Sequence, residues 1–171
     1  MMKKITGFTL IELMVTLLVA SILLTIGVPS FLETIRRSRT ISQANELVTA
    51  LNLARSEAVK RGIQVTILRT GTEWEDGWQV FVDENADHVL DAGEAVIQEY
   101  VALSEGYTLR TGGNITDWVA YLPSGLSDMA SGLNNDTFRL CTDEQDNAKG
   151  RSIILNAVGR VSVQEGTALC P

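Results

Sequence analysis

From Phe8 to Leu32 the chain is apolar or weakly polar at every position but one, and that one is a carboxylate, Glu12. The run covers 25 residues, about 37 Å as a helix, so it predicts a segment able to span a bilayer with some tilt. It is too long for the apolar region of a secretory signal, and no A-x-A-like site follows it at a suitable distance. Beyond it the pattern turns amphipathic. In "ETIRRSRTISQANELVTALNLARSEAVKRG", residues Ile41, Ala44, Leu47, Val48, Leu51, Ala54 and Ala58 recur at three- and four-residue steps, which marks one face of a helix. Glu57 and Arg61 form an i,i+4 pair, and Gly62 is a natural stop. One helix is therefore expected from about Phe8 to Arg61, kinked or loosened at Pro29. The stripe from Ile41 onward is what a head would pack on.

Past Gly62 the period shortens. "IQVTILR" alternates, and "GWQVFVD", "AVIQEYVAL", "GYTLRT", "WVAYLP", "TFRLC", "RSIILN" and "GRVSVQ" follow at regular spacing with turn residues between them. These runs predict seven or eight strands. The fold class expected is α+β: a long N-terminal α-helix, half transmembrane and half packed on the head, plus a C-terminal antiparallel β-sandwich-like head.

Charge divides the chain further. From Gly62 to the end there are six basic residues against seventeen acidic ones, a poor basis for gripping a polyanion over a broad face. Between Glu33 and Arg61 the balance reverses, with six basic residues against three glutamates. Lys3 and Lys4 favour an N-terminus-in orientation, whereas Arg36, Arg37 and Arg39 argue the other way, so charge alone leaves the topology open. Cys141 and Cys170 have no partner histidine for zinc. Outside the cytoplasm they most simply form one disulfide, worth about 3–4 kcal/mol for a loop of that length. Two buried thiols are the alternative.

Few residues suggest chemistry. Asp83, Asn85, Asp87, Asp91 and Glu94 fall at positions 1, 3, 5, 9 and 12 of an EF-hand-like loop, which would fit calcium. His88, however, stands where the loop needs glycine, and the flanks read as strands, so a hairpin whose Asp and Asn side chains cap turns is the competing reading. His88 is the one histidine, so neither a Ser-His-Asp triad nor a cluster of metal-binding histidines can be built. "GLSDM" matches a nucleophile elbow only loosely, and no phosphate-binding GxxxxGK[ST] loop exists. The pattern calls for no enzyme and no cofactor. Trp74, Trp78 and Trp118 are expected in the core or in hairpins.

"KKITGFTLIELMVTLLVASILLTIGVPSF" resembles the class III signal of type IV pilins and pseudopilins: a short basic leader, Gly7 at the cut, Phe8 as new N-terminus, Glu12 four residues on, and Pro29 within the helix. The resemblance implies cleavage after Gly7 and N-methylation of Phe8 by a prepilin peptidase. It also implies a single-pass protein of the bacterial inner membrane with its head in the periplasm. Residues 1–7 would then be leader, 8–32 the transmembrane helix, 33–62 its amphipathic continuation and 63–171 the head. The freed Phe8 amine could pair with Glu12 of a neighbouring subunit, which would favour assembly and bias its register.

"LNLARSEAVKRG", "GWQVFVDENADHVLDAGEAVI" and "FRLC…GRSIILNAVGRVSV" with a terminal cysteine are similar to the GspH/FimT family of minor pilins and pseudopilins. The partners implied are other pilin or pseudopilin subunits, the inner-membrane assembly machinery and the prepilin peptidase, in a type IV pilus or a type II secretion system. Some FimT-like members bind DNA through a C-terminal G-R-x-R motif. Here Gly159 and Arg160 match, but Ser162 replaces the second arginine, leaving Lys149, Arg151 and Arg160 as a thin basic group on an acidic head. Nucleic acid is not expected as a partner.

Overall fold

The computed structural model describes residues 8–132, 134–142, 147–166 and 170. It divides into two compact units, residues 1–39 and 40–171. One helix, α1 (Leu10–Arg61), contributes to both and contains Pro29.

In the first unit, α1 is exposed on every side from Leu10 to Thr34. A helix apolar all round is stable only in lipid or in a bundle of partners, and this one is long and apolar enough to cross a membrane. The hydroxyls of this helix ahead of Pro29 are satisfied locally. Thr16 donates to the Leu13 carbonyl, Ser21 to that of Leu18 and Thr25 to that of Ile22, so none asks for water in a hydrocarbon setting.

In the second unit the remainder of α1 buries Thr40, Gln43, Ala44, Leu47, Ala50, Leu51, Ala54 and Ala58. The buried face is rotated from the one expected: Ile41 is exposed, Val48 is half-buried, and Thr40 and Gln43 take the inner places. Thr40 can do so because its hydroxyl meets the Tyr107 hydroxyl at 3.2 Å. Four alanines on this face let the sheets approach closely. α1 ends at Arg61, and Gly62 follows with φ 68°, a left-handed conformation that costs glycine little.

Nine strands follow among the described residues: β1 (Val65–Arg69), β2 (Trp78–Val82), β3 (Val96–Tyr100), β4 (Thr108–Arg110), β5 (Trp118–Tyr121), β6 (Ser127–Met129), β7 (Asp136–Cys141), β8 (Arg151–Leu155) and β9 (Val161–Glu165). They form two antiparallel sheets, in order β3-β2-β1-β5-β6 and β4-β7-β8-β9. The strand beyond the expected seven or eight is β6. Its three residues, Ser-Asp-Met, are too short and too polar to show a strand period, and pairing with β5 places them. Both sheets turn side chains to one core: Val65, Ile67, Trp78, Val80, Val119 and Tyr121 from the first, and Leu109, Phe138, Leu140, Ile153 and Leu155 from the second, meeting Leu47, Leu51 and the alanines of α1.

Trp74 and Trp78 lie in this core, as their size suggests. Trp74 donates its ring N–H to the Thr116 carbonyl at 2.7 Å and meets Phe138 edge-on, with ring centroids 5.0 Å apart. Cys141, at the end of β7, is bonded to Cys170. The pair closes a loop that holds β8 and β9.

Candidate functional site

The start of α1 is the first candidate. Thr9 precedes the helix, and its backbone N–H and its hydroxyl both donate to Glu12 Oε2, each at 3.1 Å. The Glu12 N–H lies 3.3 Å from Thr9 Oγ1 as donor, and the Leu13 N–H donates to the Thr9 carbonyl. This is a capping box, T-x-x-E, in which each residue satisfies the other's free backbone donor. A carboxylate in the first turn also sits at the positive end of the helix dipole. Glu12 is thus tied to its own helix end, one residue from Phe8. Thr9 is not among the residues the apolar pattern singles out, although "TLIE" carries the signal. Gly7 lies outside the described residues.

The 83–94 segment is built from turns. Asp83 is only 1% exposed, and its Oδ2 accepts from Gln64 Nε2 at 2.9 Å, Thr66 Oγ1 at 2.7 Å and the His88 N–H at 3.1 Å. Glu94 accepts from the N–H groups of Glu84 and Asp91, both at 2.9 Å. The Asn85 amide donates to Asp87 Oδ2 at 2.9 Å and to Asp91 Oδ2 at 3.0 Å, while the Asp87 carboxylate caps the Val89 N–H. Among the described residues, no three His, Cys, Asp or Glu side chains are placed to share one metal ion. The loop also covers the outer face of the first sheet. His88 stacks on Trp118 with ring centroids 3.5 Å apart and planes 11° from parallel. The register places Thr66, Phe81 and Ala120 in one row on that face, and all three are buried.

The C-terminal basic residues do not converge. Arg151 pairs with Glu165 in the register of β8 and β9, and its guanidinium lies 3.4 Å from the Glu165 carboxylate. Arg160 sits at the other end of that hairpin, exposed in the β8–β9 turn, and Lys149 is half-buried just before β8. Gly159, the other half of the G-R pair, serves packing. Its φ is 75°, and a Cβ there would collide with the Gly125 carbonyl oxygen and lie 3.0 Å from the Tyr121 ring. Burial pushes the Tyr121 hydroxyl pKa well up, against a smaller opposing pull from Arg55.

One cleft, of about 350 Å³, opens between Arg69, Trp74, Arg110, Thr116 and Asp117. Its arginines are already engaged: Arg69 with Asp117 at 2.7 Å, and Arg110 with the Glu75 carboxylate. Glu75 chiefly, by hydrogen bonding, raises the Arg110 pKa. The walls hold paired charges.

Comparison with known families bears on residues well beyond the helix start. Residues 43–159 match the family described as Type II transport protein GspH. The chain belongs to the GspH family. A second match, to the prokaryotic N-terminal methylation motif, covers residues 2–28 of this GspH-family chain and so takes in Phe8, Thr9 and Glu12. Among curated proteins, the pilin-like protein PilA1 of Thermus thermophilus is 36% identical over 88 residues, 52% of this chain and 54% of that protein. The GspH-family chain thus spans about half the length of the curated relative it matches. Among solved structures it resembles the type IV minor pilin FimU of Pseudomonas aeruginosa, with a TM-score of 0.61 and 21% identity over 76% of this chain and 91% of that one. It also resembles the minor pseudopilin EpsH of the Vibrio cholerae type 2 secretion system, with a TM-score of 0.55 and 14% identity over 74% and 97%. At these identities the likeness is one of fold. The family is that of GspH, and the fold is the one shared with these two structures.

Proposed function

We propose that this GspH-family chain is a minor structural subunit of a type IV pilus. In this reading it is inserted in the inner membrane with its head in the periplasm, cleaved after Gly7 by a prepilin peptidase and N-methylated on Phe8. It then assembles with other pilin-like subunits through its N-terminal helix, near the tip, where initiation takes place. The observation that carries the reading is the Leu10–Leu32 stretch of α1, apolar and exposed on all sides, whose one carboxylate, Glu12, is held at its very start by Thr9.

The physical argument runs through that carboxylate. A charge inside hydrocarbon costs on the order of 3 kcal/mol even on forgiving scales. The capping bonds to Thr9 reduce the cost but leave the charge. Cleavage before Phe8 creates an amine, and in a bundle of such helices a neighbour's amine can neutralise Glu12, so packing is favoured in one axial register. Thr9 is then a positioning residue that holds the carboxylate at the level where amines gather. The test is filament assembly by Glu12→Ala and Glu12→Leu variants in a deletion strain; filaments as abundant as those of the wild type would overturn the reading.

The family description, type II transport, favours a second reading as an H-type pseudopilin that acts in protein secretion. The same helix physics serves both machines. A deletion strain scored for twitching and for exoprotein release separates them, since loss of twitching alone assigns the pilus and loss of release alone assigns the secretion system.

A further inference from the structure

At the end of the head where α1 stops, three segments are locked together by one arginine. Arg55 donates from Nε to the Gly125 carbonyl at 3.0 Å and from a terminal nitrogen to the Val158 carbonyl at 2.9 Å. Gly125 belongs to the β5–β6 turn, closed by Gly125 N–H to Leu122 and by Leu122 N–H to Leu126. Val158 belongs to the β8–β9 turn, closed by Gly159 N–H to Asn156. The close approach of Gly159 to Gly125 brings the two turns into contact, and the position of a Cβ on Gly125 lies 3.3 Å from the Val59 side chain.

This knot displays aliphatic side chains where turns ordinarily carry polar ones. Val59 is 55% exposed, Leu126 43% and Val158 56%, each within one residue of a contact in the knot. A lone exposed valine needs no explanation. Three from separate segments, held around a half-buried, hydrogen-bonded arginine, form a prepaid apolar surface that loses little side-chain freedom on binding. Its surroundings are basic: Lys60 and Arg61 stand exposed on the last turn of α1 and share one carboxylate, Glu57, while Arg160 stands exposed in the β8–β9 turn. From Gly62 on, Arg160 included, acidic residues outnumber basic ones seventeen to six. An apolar centre with a basic rim is complementary to an acidic partner surface of the kind that the rest of this head presents.

We propose that the surface formed by Val59, Leu126 and Val158 docks the acidic head of a neighbouring pilin-like subunit, with that head's carboxylates against Lys60, Arg61 and Arg160. This rests on the function proposed above and adds the contact made by the head. Rim charges set orientation and encounter, and the aliphatic centre holds the contact once water is excluded.

The test uses the full-length chain in cells of the deletion strain, with a photo-crosslinking amino acid at Val158 and, as control, at exposed Gln98 on β3. The expected result is an adduct from position 158, absent from position 98, whose partner is a pilin-like protein with an acidic head. Its yield should fall roughly tenfold in the triple variant Lys60→Glu, Arg61→Glu, Arg160→Glu, and comparably in Leu126→Asp, as suits loss of a rim or of a central contact. Retention of the Cys141–Cys170 disulfide and of protease resistance in each variant separates lost docking from lost folding. An adduct with lipid or with an unrelated protein, equal yields from positions 158 and 98, or yields untouched by charge reversal would overturn the proposal. If Glu12→Ala abolishes assembly while the position-158 adduct is missing from wild type, the docking surface falls and the filament function stands. If Glu12→Ala leaves filaments, twitching and secretion untouched, the functional reading falls first.

Discussion

The two halves of α1 share a helix and little else. Up to Arg39 none of its residues is buried, although large aliphatic side chains crowd it, and from Thr40 onward eight residues are buried against the head. The first half is held by its own backbone and by hydroxyls that bond to carbonyls one turn back, and its side chains await lipid or other helices. The second half is held by tertiary packing, with small residues chosen for close approach. The contrast shows what each stretch is for. Apolar surface that the chain cannot bury itself is surface reserved for surroundings the chain must find.

Mutations can break this comparison in graded ways. The largest effect is expected in the first half and on assembly alone: Glu12→Leu should reduce filament number more than tenfold while the melting curve of the purified full-length protein in detergent stays unchanged, because the register contact proposed between subunits involves no contact within the head. In the second half the effect should reverse. Leu51→Ala, at a fully buried position, should cost about 2–5 kcal/mol of head stability by thermal melting, whereas Leu17→Ala, exposed in the first half, should cost the head nothing measurable.

Removing the Cys141–Cys170 bond by paired alanines should cost about 3–4 kcal/mol on the chain-entropy argument, read from the shift in denaturant midpoint under oxidising conditions. Gly159→Ala should cost about 1–3 kcal/mol, combining a left-handed backbone with a collision at the Gly125 carbonyl, while Arg160→Ala should stay within half a kcal/mol. Comparable losses from both would mean that the G-R pair acts as one unit, contrary to its geometry here.

The smallest effect concerns pH. The Asp76 carboxyl sits below its ordinary value of 3.8, chiefly because the Glu73 backbone N–H donates to it and secondarily through the Thr72 hydroxyl. A depressed folded pKa stabilises the head above the unfolded value, and that contribution disappears as pH falls through the folded one. Asp76→Asn should therefore lower the melting temperature slightly at neutral pH, and the gap from wild type should close as pH drops below about 3.8. A gap that persists or widens in acid would contradict this origin.

Much of the fold can be read in order along the chain, for reasons tied to particular residues. A stretch such as Phe8–Leu32 has too much apolar surface for any helix half-immersed in water, so its length alone announces its solvent. "IQVTILR" and "WQVFV" show the two-residue period because one face of each meets the core. The period failed where partners rather than side chains decide. β6 is three residues long, and it is a strand because β5 offers a register. Thr40 and Gln43 take buried places that Ile41 was expected to fill, since Tyr107, far along the chain, supplies a hydroxyl for Thr40. Thr9 is legible in the T-x-x-E spacing of "TLIE", because a capping box needs only residues three apart.

For the candidate sites the boundary is sharper. The sequence determines by itself that this protein has a lipid-compatible helix with one carboxylate near its start, a basic stretch after it and an acidic β-rich head, because these properties follow from which residues are neighbours in the chain. Tertiary structure alone decides which charges are spent and which remain available. Arg151 is answered by Glu165, Asp83 is enclosed by Gln64, Thr66 and His88, and Arg55 is drawn to carbonyls 70 and 103 residues away. No local pattern encodes those distances. A side chain is available for function only when no other part of the fold has claimed it, and that is settled where distant segments meet.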